Sequence, residues 1–302
     1  MERLRQRLVG PGGERWVGDD AAVVPGPTGP MLLAADAVVA GVHADLDLVG
    51  LDDMGWKAIV ANVSDVAAMG GRPCYTVVTV AGPLAALDVD LLYDGLLAAA
   101  AAYECPVVGG DLSGSATLVV SVAIVGDGGG PALPPVMRSG ANPGDTLFVT
   151  GPLGSSAAGL ELLRSGQLSE APDLVLSHRR PRARLDEGTA ARVAGASAMI
   201  DVSDGLAADL RHLADASGVG VVLDRVPVAI GVSRVSDDPE ALALGGGEDY
   251  ELLFAAPDPD LVEATFAARG LGVPLRVGRC TADAGERRLR DADLPVLGWE
   301  HR

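Results

Sequence analysis

The chain has 302 residues, 48% of them hydrophobic, and a formal net charge of −18. That length supports a sizeable core, usually divided between two domains, while the acidic excess excludes nucleic acid and anionic membrane surfaces as natural partners. The charged opening Met1-Glu2-Arg3-Leu4-Arg5-Gln6-Arg7 and a longest apolar run of only 96–103 predict a soluble, cytoplasmic protein.

The predicted elements alternate in kind. Residues 31–39 read as a strand, 52–69 as a helix, 75–81 as a strand and the Ala/Leu-rich stretch 88–103 as a helix. Short strands follow at 106–108 and 118–125, and a Gly/Pro-rich loop at 126–135 interrupts the pattern. A second half begins near Met137, with a strand at 146–150 and helices at 155–163 and 182–193. It continues through a strand at 198–202, a helix at 206–216, strands at 219–223 and 251–256, and a helix at 260–269. This is an α/β protein of two halves, 1–137 and 138–302.

Cys74, Cys105 and Cys280 stand far apart, without C-x-x-C spacing or a histidine cluster, which predicts free structural thiols rather than zinc ligands. The phosphate-binding loop G-x-x-x-x-G-K-[ST], a strand-linked G-x-G-x-x-G and H-E-x-x-H are all absent. The sequence offers instead a series of aspartates placed at strand ends and turns: Gly18-Asp19-Asp20, Asp36, Asp65, Gly109-Gly110-Asp111 and Asp201-Val202-Ser203-Asp204. Magnesium prefers oxygen ligands and joins carboxylates to substrate phosphates, so dispersed aspartates converging on a cleft would suit it. Each also has an ordinary use: Asp beside Gly is a turn former, and Ser203 or Asp204 can cap the helix that follows. His43 follows the first strand and is either a phosphate contact or a solvated loop residue. Arg138, at the start of the second half, offers a planar fork of donors suited to a phosphate or to an ordinary salt bridge. In Gly245-Gly246-Gly247-Glu248-Asp249-Tyr250-Glu251-Leu252, glycines that permit close backbone approach lead through an acidic pair into a strand, and a functional use outweighs a structural one there.

Taken together and in order, Gly18-Asp19-Asp20-Ala21-Ala22, Asn62-Val63-Ser64-Asp65-Val66-Ala67-Ala68-Met69-Gly70, Gly109-Gly110-Asp111, Arg138-Ser139-Gly140-Ala141, Asp201-Val202-Ser203-Asp204-Gly205-Leu206 and Gly247-Glu248-Asp249-Tyr250-Glu251-Leu252 resemble the thiamine-monophosphate kinase family. The aspartates are shared by a wider superfamily that includes aminoimidazole ribonucleotide synthetase, whereas the Glu-Asp-Tyr-Glu-Leu stretch points to the thiamine branch.

The resemblance implies a two-domain aminoimidazole ribonucleotide synthetase-like fold with mixed sheets and helices packed on one face. It also implies a homodimer whose N-terminal domains pair into a barrel, with active-site clefts between the two kinds of domain. By it, Asp20, Asp36, Asp65, Asp111, Asp201 and Asp204 would share several magnesium ions. Gly110, Asp111, Arg138 and Ser203 would bind ATP, and His43, Glu248 and Trp299 would face thiamine monophosphate. Where the family usually has hydroxyl residues before Asp36, this sequence has Ala34 and Ala35, so that backbone carbonyls would serve there. The implied reaction is direct in-line phosphoryl transfer without a dedicated general base. Two other readings stay open: a sister ATP-dependent synthetase, and a nucleotide-binding regulatory protein without turnover.

Overall fold

The computed structural model describes residues 6–8, 10–11, 14, 16–17 and 19–299. Its chain divides into two compact units, Met1–Val66 with Arg72–Ala132, and Ala67–Gly71 with Leu133–Arg302.

In the first unit, β1 (Met31–Val39), β2 (Arg72–Gly82), β3 (Val107–Gly114) and β4 (Val119–Asp127) form a mixed sheet in the order β1-β4-β2-β3. Only the β2–β3 pair is parallel. The alternating pattern in β2 and β4 turns Val78, Val80, Val120, Val122 and Ile124 inward, where all are essentially inaccessible to solvent. Helices α1 (Leu51–Ala68) and α2 (Val89–Ala102) supply the rest of this core through Ile59, Val63, Leu92 and Leu96. Asp88 caps α2 by accepting the Leu91 N–H, as expected of Asp before an apolar helix. The two helices approach through glycine: a Cβ on Gly95 would lie 1.8 Å from the Asp52 carbonyl oxygen, and one on Gly55 would lie 2.3 Å from that of Leu92.

β3 is longer than the expected 106–108, so that Gly109-Gly110-Asp111 lies inside a strand rather than at its end. Pairing with β2 carries the chain through the two glycines, whose low strand propensity argued for a stop.

In the second unit, seven strands take the order β11-β10-β7-β9-β5-β8-β6. They are β5 (Thr146–Val149), β6 (Ala198–Asp201), β7 (Gly220–Leu223), β8 (Leu252–Ala256), β9 (Leu275–Thr281), β10 (Arg287–Leu289) and β11 (Ala292–Asp293). The helices are α3 (Ser155–Ser165), α4 (Pro172–Arg179), α5 (Leu185–Val193), α6 (Leu206–Ser217), α7 (Pro239–Gly245) and α8 (Pro259–Ala268). Every residue of β8 is buried, which is why it reads as a continuous apolar run: one face packs against α6, while Phe254 stacks between Phe148 and Phe266 on the other. The helix expected at 182–193 starts only at Leu185, because Arg184 at its N-cap has non-helical φ of −101° and ψ of 59°. No helix among the described residues is long and apolar enough to cross a membrane.

Candidate functional site

The first unit spreads its carboxylates along the sheet. Asp36 lies in β1, where its N–H donates to Asn62 Oδ1 at 3.0 Å, and the Asn62 amide is anchored to the Ala58 carbonyl at 2.9 Å. Asn62 is fully buried in α1, and Asp65 lies one turn further along the same helix face. Asn62 stood in the Asn62–Gly70 motif without a role; its signal was an asparagine, a poor helix former, held inside an apolar helix.

Asp36, Val122, Val78 and Gly110 form one cross-strand row. Asp111 follows Gly110 on the opposite edge strand, three strand spacings or roughly 14 Å from Asp36. The first unit therefore brings the Asp36 backbone to the helix bearing Asp65 but holds Asp111 apart from Asp36. Ser113 donates to Asp111 Oδ2 at 2.6 Å. Gly110 was expected to admit a phosphate, but its φ of +151° and a Cβ position 1.8 Å from the Val78 carbonyl oxygen give a nearer reason for glycine. Asp20 is exposed beside a cavity of about 760 Å³ over the open sheet face, lined also by Ala34, Ala35, Val77 and Gly110. Gly18 of its motif lies outside the described residues. His43 closes the turn after β1, with Nδ1 accepting the Val39 N–H at 3.1 Å, which places the ring proton on Nε2.

In the second unit, three distant segments are joined by backbone hydrogen bonds. Glu248 N–H donates to the Ser203 carbonyl at 2.8 Å, Tyr250 N–H to Val202 at 2.9 Å, and Val202 N–H to Glu251 at 2.7 Å. Trp299 N–H donates to the Asp204 carbonyl at 2.9 Å. Asp201, Ser203, Asp204, Glu248 and Trp299, predicted separately from the sequence, thus share one small region. Asp201 is buried, Ser203, Asp204 and Glu248 are half-buried, and Trp299 is 49% exposed. Arg138 is exposed in the segment before β5.

Neither Ser203 nor Asp204 caps α6: its N-cap is Gly205, which makes no side-chain cap bond. Asp209, one turn into the helix, reaches back instead, and its Oδ2 accepts the N–H groups of Asp204 and Gly205, both at 3.1 Å. Burial, and then the charges of Asp201 and Asp204, push the Asp209 carboxyl up to about 8. An exposed His212 ring nitrogen lies within 4.8 Å of the Asp204 and Asp209 oxygens. The sequence marks Asp209 only as an acid in the first turn of a helix, which does not show that it bonds back to Asp204 and Gly205.

The Glu-Asp-Tyr-Glu segment divides its labour. Glu248 and Tyr250 adopt φ of +64° and +51°, uncommon for non-glycine residues. Glu248 Oε2 lies 3.6 Å from Nδ1 of the buried His178, which also meets Ser156 Oγ at 3.1 Å. Asp249 turns its carboxylate onto the start of α3, accepting Gly154 N–H at 2.6 Å and Ser156 N–H at 3.0 Å. The buried Glu251 pairs with Arg184 and accepts the Thr150 hydroxyl at 2.6 Å. Asp249 and Glu251 are thus structural, a correction to the functional reading of the whole stretch.

Burial outweighs the backbone donors at Asp249 and lifts its carboxyl to about 7. An unfolded aspartate titrates near ~4, so folding takes up a proton between these values. The contribution of this group to stability is accordingly fullest below about pH 4 and falls as pH rises towards about 7, by up to ~1.4 kcal/mol per pH unit. Denaturant unfolding in chelator between pH 4.5 and 7 should show a shallower pH slope for Asp249→Asn than for the parent chain. Equal slopes would remove Asp249 as the cause.

Family models for the AIR synthase related protein match the chain, the N-terminal domain at residues 18–127 and the C-terminal domain at 142–290. The chain is 39% identical to the thiamine-monophosphate kinase of Halobacterium salinarum, with 99% of each chain covered. Among solved structures it is similar to thiamine-monophosphate kinase from Stenotrophomonas maltophilia, with a TM-score of 0.85, 32% identity and coverage of 97% of this chain and 96% of that one. A second, described as AaThiL complexed with AMPPCP and TMP, has a TM-score of 0.81 at 34% identity, covering all of this chain and 95% of that one.

Proposed function

The chain belongs to the thiamine-monophosphate kinase family of AIR synthase related proteins, and from that membership we infer that it transfers the γ-phosphoryl group of ATP to thiamine monophosphate, giving thiamine diphosphate. The observation in its own structure that best supports this is the joining of Asp201–Asp204, Glu248 and Trp299, which sets an aspartate-rich turn beside an acidic and an aromatic side chain.

Magnesium fits the donor set. The donors are carboxylate oxygens; burial is the larger cause of the raised Asp209 carboxyl, and the second, repulsion from Asp201 and Asp204, is what a divalent cation would relieve. Asp20, Asp36, Asp65 and Asp111 of the first unit and Asp201 and Asp204 of the second are the residues we assign to hold several such ions. When bound, they supply charge neutralisation between the two polyanionic substrates. His212 is left out of this set, since magnesium does not favour imidazole nitrogen.

The protein's own task is positioning. The acceptor phosphate, with a second pKa near ~6, is mostly dianionic at neutral pH and needs no general base to become a nucleophile. Gly110, Asp111, Arg138 and Ser203 are assigned to ATP, with the Arg138 fork suited to phosphate oxygens. Glu248 and Trp299, together with the Nε2–H of His43, are assigned to thiamine monophosphate. Holding the two phosphates in line favours direct transfer without a phosphoenzyme.

We assign ATP binding and dimerisation to 1–137 and completion of the nucleotide and acceptor sites to 138–302. A homodimer is supported by the open sheet face, where Leu33 is 68%, Met31 56% and Val77 43% exposed. Light scattering should return twice the 30.6 kDa chain mass. A cytoplasmic location suits an ATP-dependent enzyme with three free cysteines, and cell fractionation checks it.

The test is mass-resolved product analysis with ATP and thiamine monophosphate, with and without magnesium. Thiamine diphosphate formed only with the metal establishes the reading. ATP consumption without that product points to a sister synthetase, and nucleotide binding without turnover to a regulatory protein.

A further inference from the structure

The turn between β6 and α6 carries Ser203 and Asp204, yet neither residue determines its own placement. The backbone of Asp204 is held at both ends, its N–H by Asp209 Oδ2 at 3.1 Å and its carbonyl by the Trp299 N–H at 2.9 Å. The same Asp209 oxygen takes the Gly205 N–H at 3.1 Å. Gly205 has φ +114°, and a Cβ there would lie 2.9 Å from the Gly245 backbone. A side chain on Gly205 would therefore crowd the turn, and on the helix side Asp209 accepts both of these N–H groups.

Asp209 is 2% exposed, so its carboxylate is committed inward to the turn rather than outward to a ligand. Here one oxygen with two lone pairs accepts the N–H groups of Asp204 and Gly205.

Resting on the kinase reading for the chemistry served, we propose that Asp209 is a positioning residue: through the Asp204 and Gly205 N–H groups it sets the direction in which Asp204 and Ser203 present themselves to the metal-bound nucleotide. Its acceptor geometry matters, and its charge does not.

Two substitutions separate these properties. Asp209→Asn keeps the shape and an oxygen able to accept both N–H groups, removes the ionisable group, and places an amide donor near Asp201 and Asp204. Asp209→Glu keeps an ionisable carboxyl but moves the acceptor by about one methylene. The readouts are calorimetric binding of AMPPCP in a magnesium titration, the magnesium half-saturation of turnover, and the melting temperature.

Asp209→Asn is expected to bind within about threefold of the parent chain and to melt no lower. Asp209→Glu should raise the magnesium requirement ~10- to 100-fold, the range seen when a group orienting a metal ligand is lost, while still folding. The reverse order, with Asn defective and Glu intact, would make the charge the operative property and overturn the proposal. Unchanged metal dependence in both, with only melting altered, would reduce Asp209 to a structural cap. Because nucleotide and metal binding are measured without thiamine monophosphate, these outcomes are scored even if the parent chain makes no thiamine diphosphate.

Discussion

Asp65→Ala is expected to lower kcat/KM for thiamine diphosphate formation by roughly 10²- to 10³-fold, the scale at which a preorganised electrostatic group acts on a phosphoryl-transfer transition state. Asp65 is half-buried in α1, one turn beyond the Asn62 that holds the β1 backbone at Asp36. The helix therefore fixes Asp65 while the asparagine fixes the neighbouring strand. Alanine suits a helix better than aspartate, by about 0.5 kcal/mol, so folding should survive the change. The loss should appear as reduced turnover with a raised magnesium requirement, and the melting temperature should stay close to that of the parent chain. A variant retaining more than a tenth of the parent activity would exclude Asp65 from the metal-binding set.

Gly95→Ala is expected to destabilise the first unit by about 2–4 kcal/mol, against the gain of ~1 kcal/mol that alanine brings to an ordinary helix interior. The contact decides the sign. The new methyl would lie 1.8 Å from the Asp52 carbonyl oxygen and 2.6 Å from its carbon, and a backbone group cannot swing away as the end of a side chain can. α2 must then lift from α1, loosening the packing of Leu92 and Leu96, both fully buried. Differential scanning calorimetry should show a transition lowered on the order of 10 °C. An unchanged or raised transition would mean that the two helices do not meet closely at this glycine.

Most elements were legible because their periodicity is strong. β4 alternates inward Val120, Val122 and Ile124 with outward residues, and the expected strand at 118–125 is found at Val119–Asp127. Helices α4 and α7 and strands β9 to β11 carried too weak a pattern, being short, edge-placed or rich in arginine. The site was legible as a set of residue types, since aspartates beside glycines and a Glu-Asp pair entering a strand stand out in any window. Their division of roles was not. Asp249 and Glu251 look as functional as Glu248 in one dimension, and only their bonds to Gly154, Ser156, Arg184 and Thr150 show that they hold the loop.

By itself the amino-acid sequence determined the α/β class, the acidic oxygen-donor chemistry and the family, because each depends on local residue type and order. Tertiary structure alone decided that Asp36 and Asp111 lie on opposite edges of one sheet and that Trp299 reaches the turn at Asp204. It also decided that Asn62 and Asp209 hold the backbone around the predicted ligands. These are pairings between residues distant in the chain or across a turn, and they follow from strand order and hydrogen-bond closure, which no local pattern encodes.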